Sequence, residues 1–402
     1  MNITKQQMDA LNNCLKCSIC VDSCPVTRVD PRFPGPKQLG VDRLRIAQET
    51  GEQPNPAVNY CSNCKTCETV CPSGVLVGTL NQLTKGDLPR KGLGLREIIF
   101  SNNSILGKLM HIWPQAGNLI TALPPVRKIM EKTVGIAAQA PMPAYSKTTL
   151  RKSLKGYQPV FTQTPKEVLY FPGCFTQYNK PEVGMALVKI LAKLNYKVII
   201  PEFKCCGQPS ISNARLKDTR RFAEANLRIL KQYLKPGMAL LFSCPSCLLT
   251  FKEEYKNILG MEEYTEFSSA MLDAGEFLLK HEKQLAGLIS ASGKNILKLA
   301  YHEPCHLRAS GLGTPGLSLL KQFGLDITPL EAGCCGLSGS YGLKTEKHGI
   351  AEEIGMNLKK AIAASNYREV VTECGMCSVQ IKHLTKLPTS HPLELLAMML
   401  KE

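Results

Sequence analysis

From about Lys166 onward, short apolar runs alternate with amphipathic stretches. VLYF, KVII and ALLF have the length and apolar density of buried strands. Between them Val183, Ala186, Leu187, Ile190, Leu191 and Leu194 recur at helical spacing, and the segment from Phe222 to Leu234 predicts a second helix. The succession returns further on, with ILKLAY, LDIT and EVVT as strands and with TPGLSLLKQF and a stretch through Ile350, Ile354 and Leu358 as helices. Such alternation predicts an α/β fold. Upstream the pattern changes. Met1 to about Pro89 carries short helical pieces among turns such as PRFPGPKQLG, with too little apolar content for a large core. Residues 90–165 hold four apolar patches (LREIIF, ILGKLMHIW, GNLITAL, VRKIM) before becoming linker-like in APMPAYSKTTLRKSLKGYQP.

The two halves of the α/β region are copies of one domain, at 166–290 and 291–402. Cys174, Cys205-Cys206-Gly207 and Cys244/Cys247 recur as Cys305, Cys334-Cys335-Gly336 and Cys374/Cys377, at offsets of 131, 129 and 130 residues. Three landmarks displaced by a near-constant distance mark an internal duplication. Each cysteine group follows a predicted strand within a few residues. Parallel sheets bind ligands beyond the carboxyl ends of their strands, so each copy should gather its five thiols at one edge.

The cysteines, 18 in 402 residues, decide the chemistry. The start MNITKQQMDALNNC lacks the basic and apolar segments of a secretory signal, which favours a reducing compartment and thiolate ligation over disulfides. The signature CLKCSICVDSCP contains Cys14, Cys17, Cys20 and Cys24 before Pro25, and CSNCKTCETVCP contains Cys61, Cys64, Cys67 and Cys71 before Pro72. Three cysteines at intervals of three let one loop wrap a cubane, while the fourth, carried off at the proline, serves the other cluster in two-cluster ferredoxins. Cys14, Cys17, Cys20 and Cys71 are therefore assigned to one [4Fe–4S] cluster, and Cys61, Cys64, Cys67 and Cys24 to the other. Structural zinc sites use paired CxxC units and suit this spacing poorly. The expected architecture is thus a small α-helical ferredoxin-like domain at 1–89, stabilised largely by its clusters, then the connector and two duplicated α/β domains. In the repeats, adjacent cysteines can point to two irons of one cofactor, and the following glycine lets the chain hug a bulky inorganic core. Buried structural cysteine, the competing reading, accounts poorly for five aligned thiols per copy.

The formal charge is +16, and between Leu76 and Pro165 twelve Lys/Arg face three Asp/Glu, so nine units of the excess are regional. That location favours an anionic membrane surface or an acidic subunit over nucleic acid. Leu109 to Val126 is uncharged but holds Pro114, Pro124 and Pro125, which argues against a spanning helix. Peripheral docking would bring Arg96, Lys108, Arg127, Lys128 and Lys132 to anionic lipid, with Ile105, Leu109, Ile112 and Trp113 at the interface. Trp113 reads equally as a packing residue. His302 and His306, flanking Cys305, either tune a cluster or position the loop. The GxGxxG match at Gly311–Gly316 lacks a strand directly before it and is a weak nucleotide signal. Neither a catalytic triad, nor paired carboxylates, nor a flavin site stands out, which points to electron transfer and away from primary substrate chemistry.

Two ferredoxin signatures followed by two C…CCG…CxxC domains resemble the cysteine-rich (CCG-domain) iron–sulfur subunits of glycolate oxidase, lactate-utilisation systems and heterodisulfide reductase. FPGPKQLGVDRLR, YCSNCKTCETVCPSG, HEPCH, CCGLSGSYGLK and HPLELLA are most similar to the C-subunit group of anaerobic glycerol-3-phosphate dehydrogenases. The resemblance implies a subunit at the cytoplasmic face of the membrane, peripherally attached, taking electrons from flavoprotein dehydrogenase subunits to membrane quinone. It also implies noncubane iron–sulfur clusters, one at Cys174, Cys205, Cys206, Cys244 and Cys247 and another at Cys305, Cys334, Cys335, Cys374 and Cys377. First-copy motifs are often degenerate in such subunits, so the complete set here is a departure, and one or two further clusters fit it. Two other classes stand beside this one: an enzyme reducing a disulfide at a CCG site, and a zinc-stabilised protein drawn to nucleic acid by charge.

Overall fold

The structure, a computed structural model, describes residues 11–89, 94–161, 163–290 and 298–401. Among these, two four-stranded parallel sheets share one topology. The first is ordered β2-β1-β3-β4, from β1 (Lys166–Phe171), β2 (Tyr196–Ile199), β3 (Leu240–Phe242) and β4 (Met271–Asp273). The second is ordered β6-β5-β7-β8, from β5 (Leu299–Tyr301), β6 (Ile327–Pro329), β7 (Glu369–Val371) and β8 (Thr389–Ser390). Phe171 lies opposite Phe242 and Tyr301 opposite Val371 in the two central pairings. The fold is the α/β class that the alternation predicts. Ile296 and Leu297 of ILKLAY lie outside the described residues.

The predicted helices Pro181–Lys193, Leu216–Tyr233, Pro315–Gln322 and Thr345–Ala363 are present. Their apolar faces do more than cover their own sheets. Leu187, Ile190 and Leu191 of the first copy share one core with Leu319, Leu320 and Leu396 of the second. The Pro181–Lys193 helix packs on Pro392–Met398, and Ala274–Leu279 packs on Pro315–Gln322. A second core gathers Phe171, Phe242, Phe251, Tyr255 and Tyr264 around Cys205, Cys206 and Cys247. A third joins Cys24, Cys61 and Cys64 to Cys334, Tyr341, Ile350 and Ile354, which seats the N-terminal unit on the second copy.

From Leu95 to Val134 the connector forms four short helices, Leu95–Ser101, Asn103–Met110, Pro114–Ala122 and Pro124–Val134. Prolines open the last two, where the missing N–H costs nothing. No helix among the described residues is long and apolar enough to cross a membrane. Trp113 is 77% exposed, which removes the packing reading for it. Lys108, Lys128 and Lys132 are exposed, as expected, but Arg96 and Arg127 correct the expectation of lipid contact. Arg127 is 7% exposed and donates through Nε to the Ala138 carbonyl at 2.9 Å and through Nη2 to that of Ala137 at 2.8 Å. Arg96 clamps Glu346 at 2.9 Å and the Gly135 carbonyl at 3.0 Å. Arg127 thus holds the connector together, and Arg96 fastens it to the second copy.

Candidate iron–sulfur sites

The two N-terminal signatures share an unusual backbone. Lys16 and Ser18 in the first, and Asn63 and Lys65 in the second, have φ between 57° and 64°. Left-handed residues interleaved with the first three cysteines bend each loop so that its thiols face inward. Cys20 lies close to Cys14, Cys17 and Cys71, and Cys67 close to Cys61, Cys64 and Cys24. Each loop thus meets the distant fourth cysteine of the other signature. Val75 N–H donates to Cys71 Sγ at 3.3 Å and Gln82 Nε2 to Cys61 Sγ at 3.4 Å, a type of contact that favours anionic sulfur. Burial, aided by Cys334 and Cys24, pushes the Cys64 thiol up to about 12. Burial, then Glu68, holds Cys67 well above the usual thiol range. Such thiols keep their protons unless a metal displaces them.

In the repeats the five thiols of each copy lie side by side in one contiguous series. It runs Cys174–Cys205–Cys206–Cys247–Cys244 in the first copy. It runs Cys305–Cys334–Cys335–Cys377–Cys374 in the second, with corresponding cysteines in corresponding places. Donation from Cys205 and Cys247 draws Cys206 down to about 6, while a thiol bond from Cys377 draws Cys374 down to about 7. Each set therefore gathers thiolate character within a crowd of buried thiols. The donor set, all soft sulfur at strand carboxyl ends, fits iron–sulfur cofactors. Gly207 and Gly336 stand at φ 85° and 89°, with their N–H groups 3.4 Å from Cys205 and Cys334 Sγ. A Cβ on Gly336 would fall 2.0 Å from the Ala351 carbonyl oxygen, so only glycine admits this turn.

The sets adjoin one another. Cys64 neighbours both Cys334 and Cys305, which brings the second ferredoxin set against the second repeat set. Lys65, fully buried, donates to Thr79 Oγ1 at 2.8 Å and stands 3.3 Å from Glu68 and 3.5 Å from Glu254. Burial opposes its charge, yet the two carboxylates hold it above the ordinary lysine range. Sequence reasoning missed Lys65 and Glu254; they are 189 positions apart, and only burial makes their pairing necessary. His306 resolves as a positioning residue, bonded to Ser246 Oγ and to the Asn63 carbonyl, both at 2.8 Å. His302 differs: its Nε2 is buried without a partner, and a nitrogen of its ring lies within 4.8 Å of Cys335 and Cys377 Sγ. Burial draws its ring down to about 4, which keeps it neutral. The Gly311–Gly316 segment turns inward at its end, where Gly316 packs on Glu373 and Pro392.

Comparison with known proteins agrees with this layout. A 4Fe-4S dicluster domain matches residues 10–75, and a cysteine-rich domain of the CCG type matches twice, at 168–252 and 299–382. The C subunit of anaerobic glycerol-3-phosphate dehydrogenase of Escherichia coli is 32% identical, covering 96% of this chain and 98% of that protein. The B subunit of fumarate reductase (CoM/CoB) of Methanothermobacter marburgensis is 26% identical over 94% of this chain and 68% of that protein. The D subunit of the dihydromethanophenazine:CoB–CoM heterodisulfide reductase of Methanosarcina mazei is 24% identical over 93% and 88%. The chain therefore belongs to the CCG-domain family of iron–sulfur electron-transfer subunits that includes the C subunit of anaerobic glycerol-3-phosphate dehydrogenase.

Proposed function

We propose that this chain relays electrons from a flavoprotein dehydrogenase that oxidises glycerol 3-phosphate to dihydroxyacetone phosphate, and delivers them to membrane quinone. The observation that carries this reading is the adjacency of the thiol sets, with Cys64 beside Cys334 and Cys305. Cys14, Cys17, Cys20 and Cys71 would hold one [4Fe–4S] cluster, Cys61, Cys64, Cys67 and Cys24 the other, and the five-thiol sets one or two further clusters. Bound there, such clusters supply one-electron redox centres. The protein's own part is to bury the inner sets, to direct N–H groups at sulfur, and to leave the outermost set near a partner. Cys17 is exposed and Cys14 and Cys71 are half-buried, a suitable point of entry, whereas Cys61, Cys64 and Cys67 are buried. Exposed apolar residues on the connector support peripheral attachment at the cytoplasmic face of the membrane. The test is to isolate the native complex, identify its flavoprotein, and measure glycerol 3-phosphate-dependent reduction of a quinone. Recovery of a partner specific for another hydroxy acid, or a complex that reduces disulfides but not quinone, would discard the assignment.

A further inference from the structure

The two repeats are alike in strand order, thiol sequence and glycine turn, but the residues beside the thiols differ, and one of these differences changes the chemistry at the strand end. The offset of 131 residues that maps Cys174 onto Cys305 maps Phe171 onto His302. Phe171 ends β1 and belongs to an aromatic cluster, its ring 5.1 Å from Phe203, 5.4 Å from Phe242 and 4.8 Å from Phe251. It borders the thiol set as well: a Cβ built on Gly173 would touch both Cys247 Sγ, at 3.0 Å, and the Phe171 ring, at 3.9 Å. In the second copy the corresponding place beside Cys377 holds an imidazole. His302 is 1% exposed, its Nε2 has no hydrogen-bond partner, and a nitrogen of its ring lies within 4.8 Å of the Cys335 and Cys377 sulfurs.

A buried ring nitrogen is seldom left without a partner, and this ring lies beside the thiols of a five-cysteine set. A hydrogen bond donated to sulfur, like a neutral imidazole in place of a thiolate, favours the more reduced, more negative cofactor and so raises the potential of an iron–sulfur centre. We propose that His302 is a sixth side chain of the second repeat's cofactor site, with a ring nitrogen directed at the cofactor, and that it sets this site at a higher reduction potential than the first. The inference rests on the reading that both five-thiol sets hold iron–sulfur cofactors. It goes beyond that reading by making the repeats unequal: the set that adjoins Cys64 becomes the stronger electron acceptor, and the Phe171-lined set the weaker.

The test uses the full-length protein assembled with iron and sulfide, as wild type and as His302→Phe, His302→Gln and Phe171→His. Iron and sulfide per chain are measured first, then midpoints by redox titration followed by electron paramagnetic resonance, and nitrogen couplings after labelling of histidine with 15N. In His302→Phe with full iron content, the reduced-to-oxidised ratio of the second set, poised at its wild-type midpoint, should fall about tenfold, equivalent to about 59 mV for a one-electron couple. A histidine coupling present in wild type should vanish with it. His302→Gln, which can still present a nitrogen, should restore most of the potential, and Phe171→His should raise the first set. Iron lost from His302→Phe but retained in His302→Gln supports the same role. Iron lost from both variants makes the ring a mere prop for the loop and overturns the inference, as does full iron with an unmoved midpoint. If wild-type repeats take up no iron, the underlying reading fails first, and the iron analysis alone reveals it.

Discussion

At the scale of single residues, Cys24 separates chain proximity from spatial proximity. It follows Cys20 by four positions, yet it lies with Cys67, Cys61 and Cys64. Cys24→Ser should therefore deplete the cluster of the second loop and spare that of the first. Spectra resolving the two clusters, with the damage on the Cys14 loop, would reject the crossed ligation. Lys65 offers a stability test. Lys65→Met leaves Glu68 and Glu254 facing each other in a buried space without their cation, a loss on the order of 3–5 kcal/mol. The melting temperature of the iron-loaded protein should fall by several degrees, while Lys65→Arg should recover part of it. An unchanged melting temperature would mean that the pair is solvated in the working protein. The grouping of the cysteines was legible from their spacing, and the fold brings each predicted group together. The residues between them were not legible. Only Asn63 is of a type that favours a left-handed backbone; Lys16, Ser18 and Lys65 do not announce one, and there the shape of the loop imposes it.

At the scale of elements, strands with an apolar run were legible and edge strands were not. β4 is Met-Leu-Asp and β8 Thr-Ser, and both form because a central strand offers them an unpaired ladder. The last helix, Pro392–Met398, was visible only as HPLELLA, and its cap gives that segment a physical role. His391 Nδ1 accepts from Leu393 N–H at 3.1 Å, the His391 N–H donates to Glu394 Oε2 at 2.7 Å, and Nε2 donates to the Ser243 carbonyl at 2.9 Å. The ring must be neutral to accept at Nδ1. Burial holds it down at about 3, and nearby Lys180 acts in the same direction. A folded pKa below the unfolded value of about 6.5 means that this contribution is intact above about 6.5 and is lost as the pH falls toward 3. His391→Asn keeps a capping oxygen and does not titrate. It should cost about 1 kcal/mol near neutrality, for the lost bond to Ser243, and should then show a shallower fall of melting temperature with acid than wild type. Parallel acid limbs for the two proteins would exclude His391 as the titrating group.

At the scale of the whole molecule, regional charge was legible but its use was divided. Of the five basic residues that the sequence nominates for lipid, Arg96 and Arg127 serve internal bonds, and Lys108, Lys128 and Lys132 remain outward. Composition cannot make that division, because it depends on which carbonyl and carboxylate groups the tertiary fold leaves unpaired. The three lysines lie on the same run of helices and turns as Ile105, Leu109, Ile112, Trp113, Leu119, Ile120 and Ile129, all exposed. Exposed large apolar side chains in such number mark a docking surface, and aromatic and aliphatic residues beside lysine suit a bilayer interface. Each lysine near an anionic surface contributes about 1 kcal/mol, so changing all three to Gln should weaken binding to anionic vesicles roughly 100-fold at low salt. Changing Ile112 and Trp113 to Ser should weaken it further and should also abolish the part that survives high salt, because burial of apolar area is not screened. Neutral vesicles should bind wild type poorly. The purified protein is to be tested by itself, because docking to an acidic subunit would draw on the same lysines. Wild-type protein that ignores anionic vesicles even at low salt would assign this surface to a partner subunit. Arg127→Gln provides the internal control: it should lower the melting temperature by breaking the carbonyl clamp, whereas the three lysine changes should leave it unmoved.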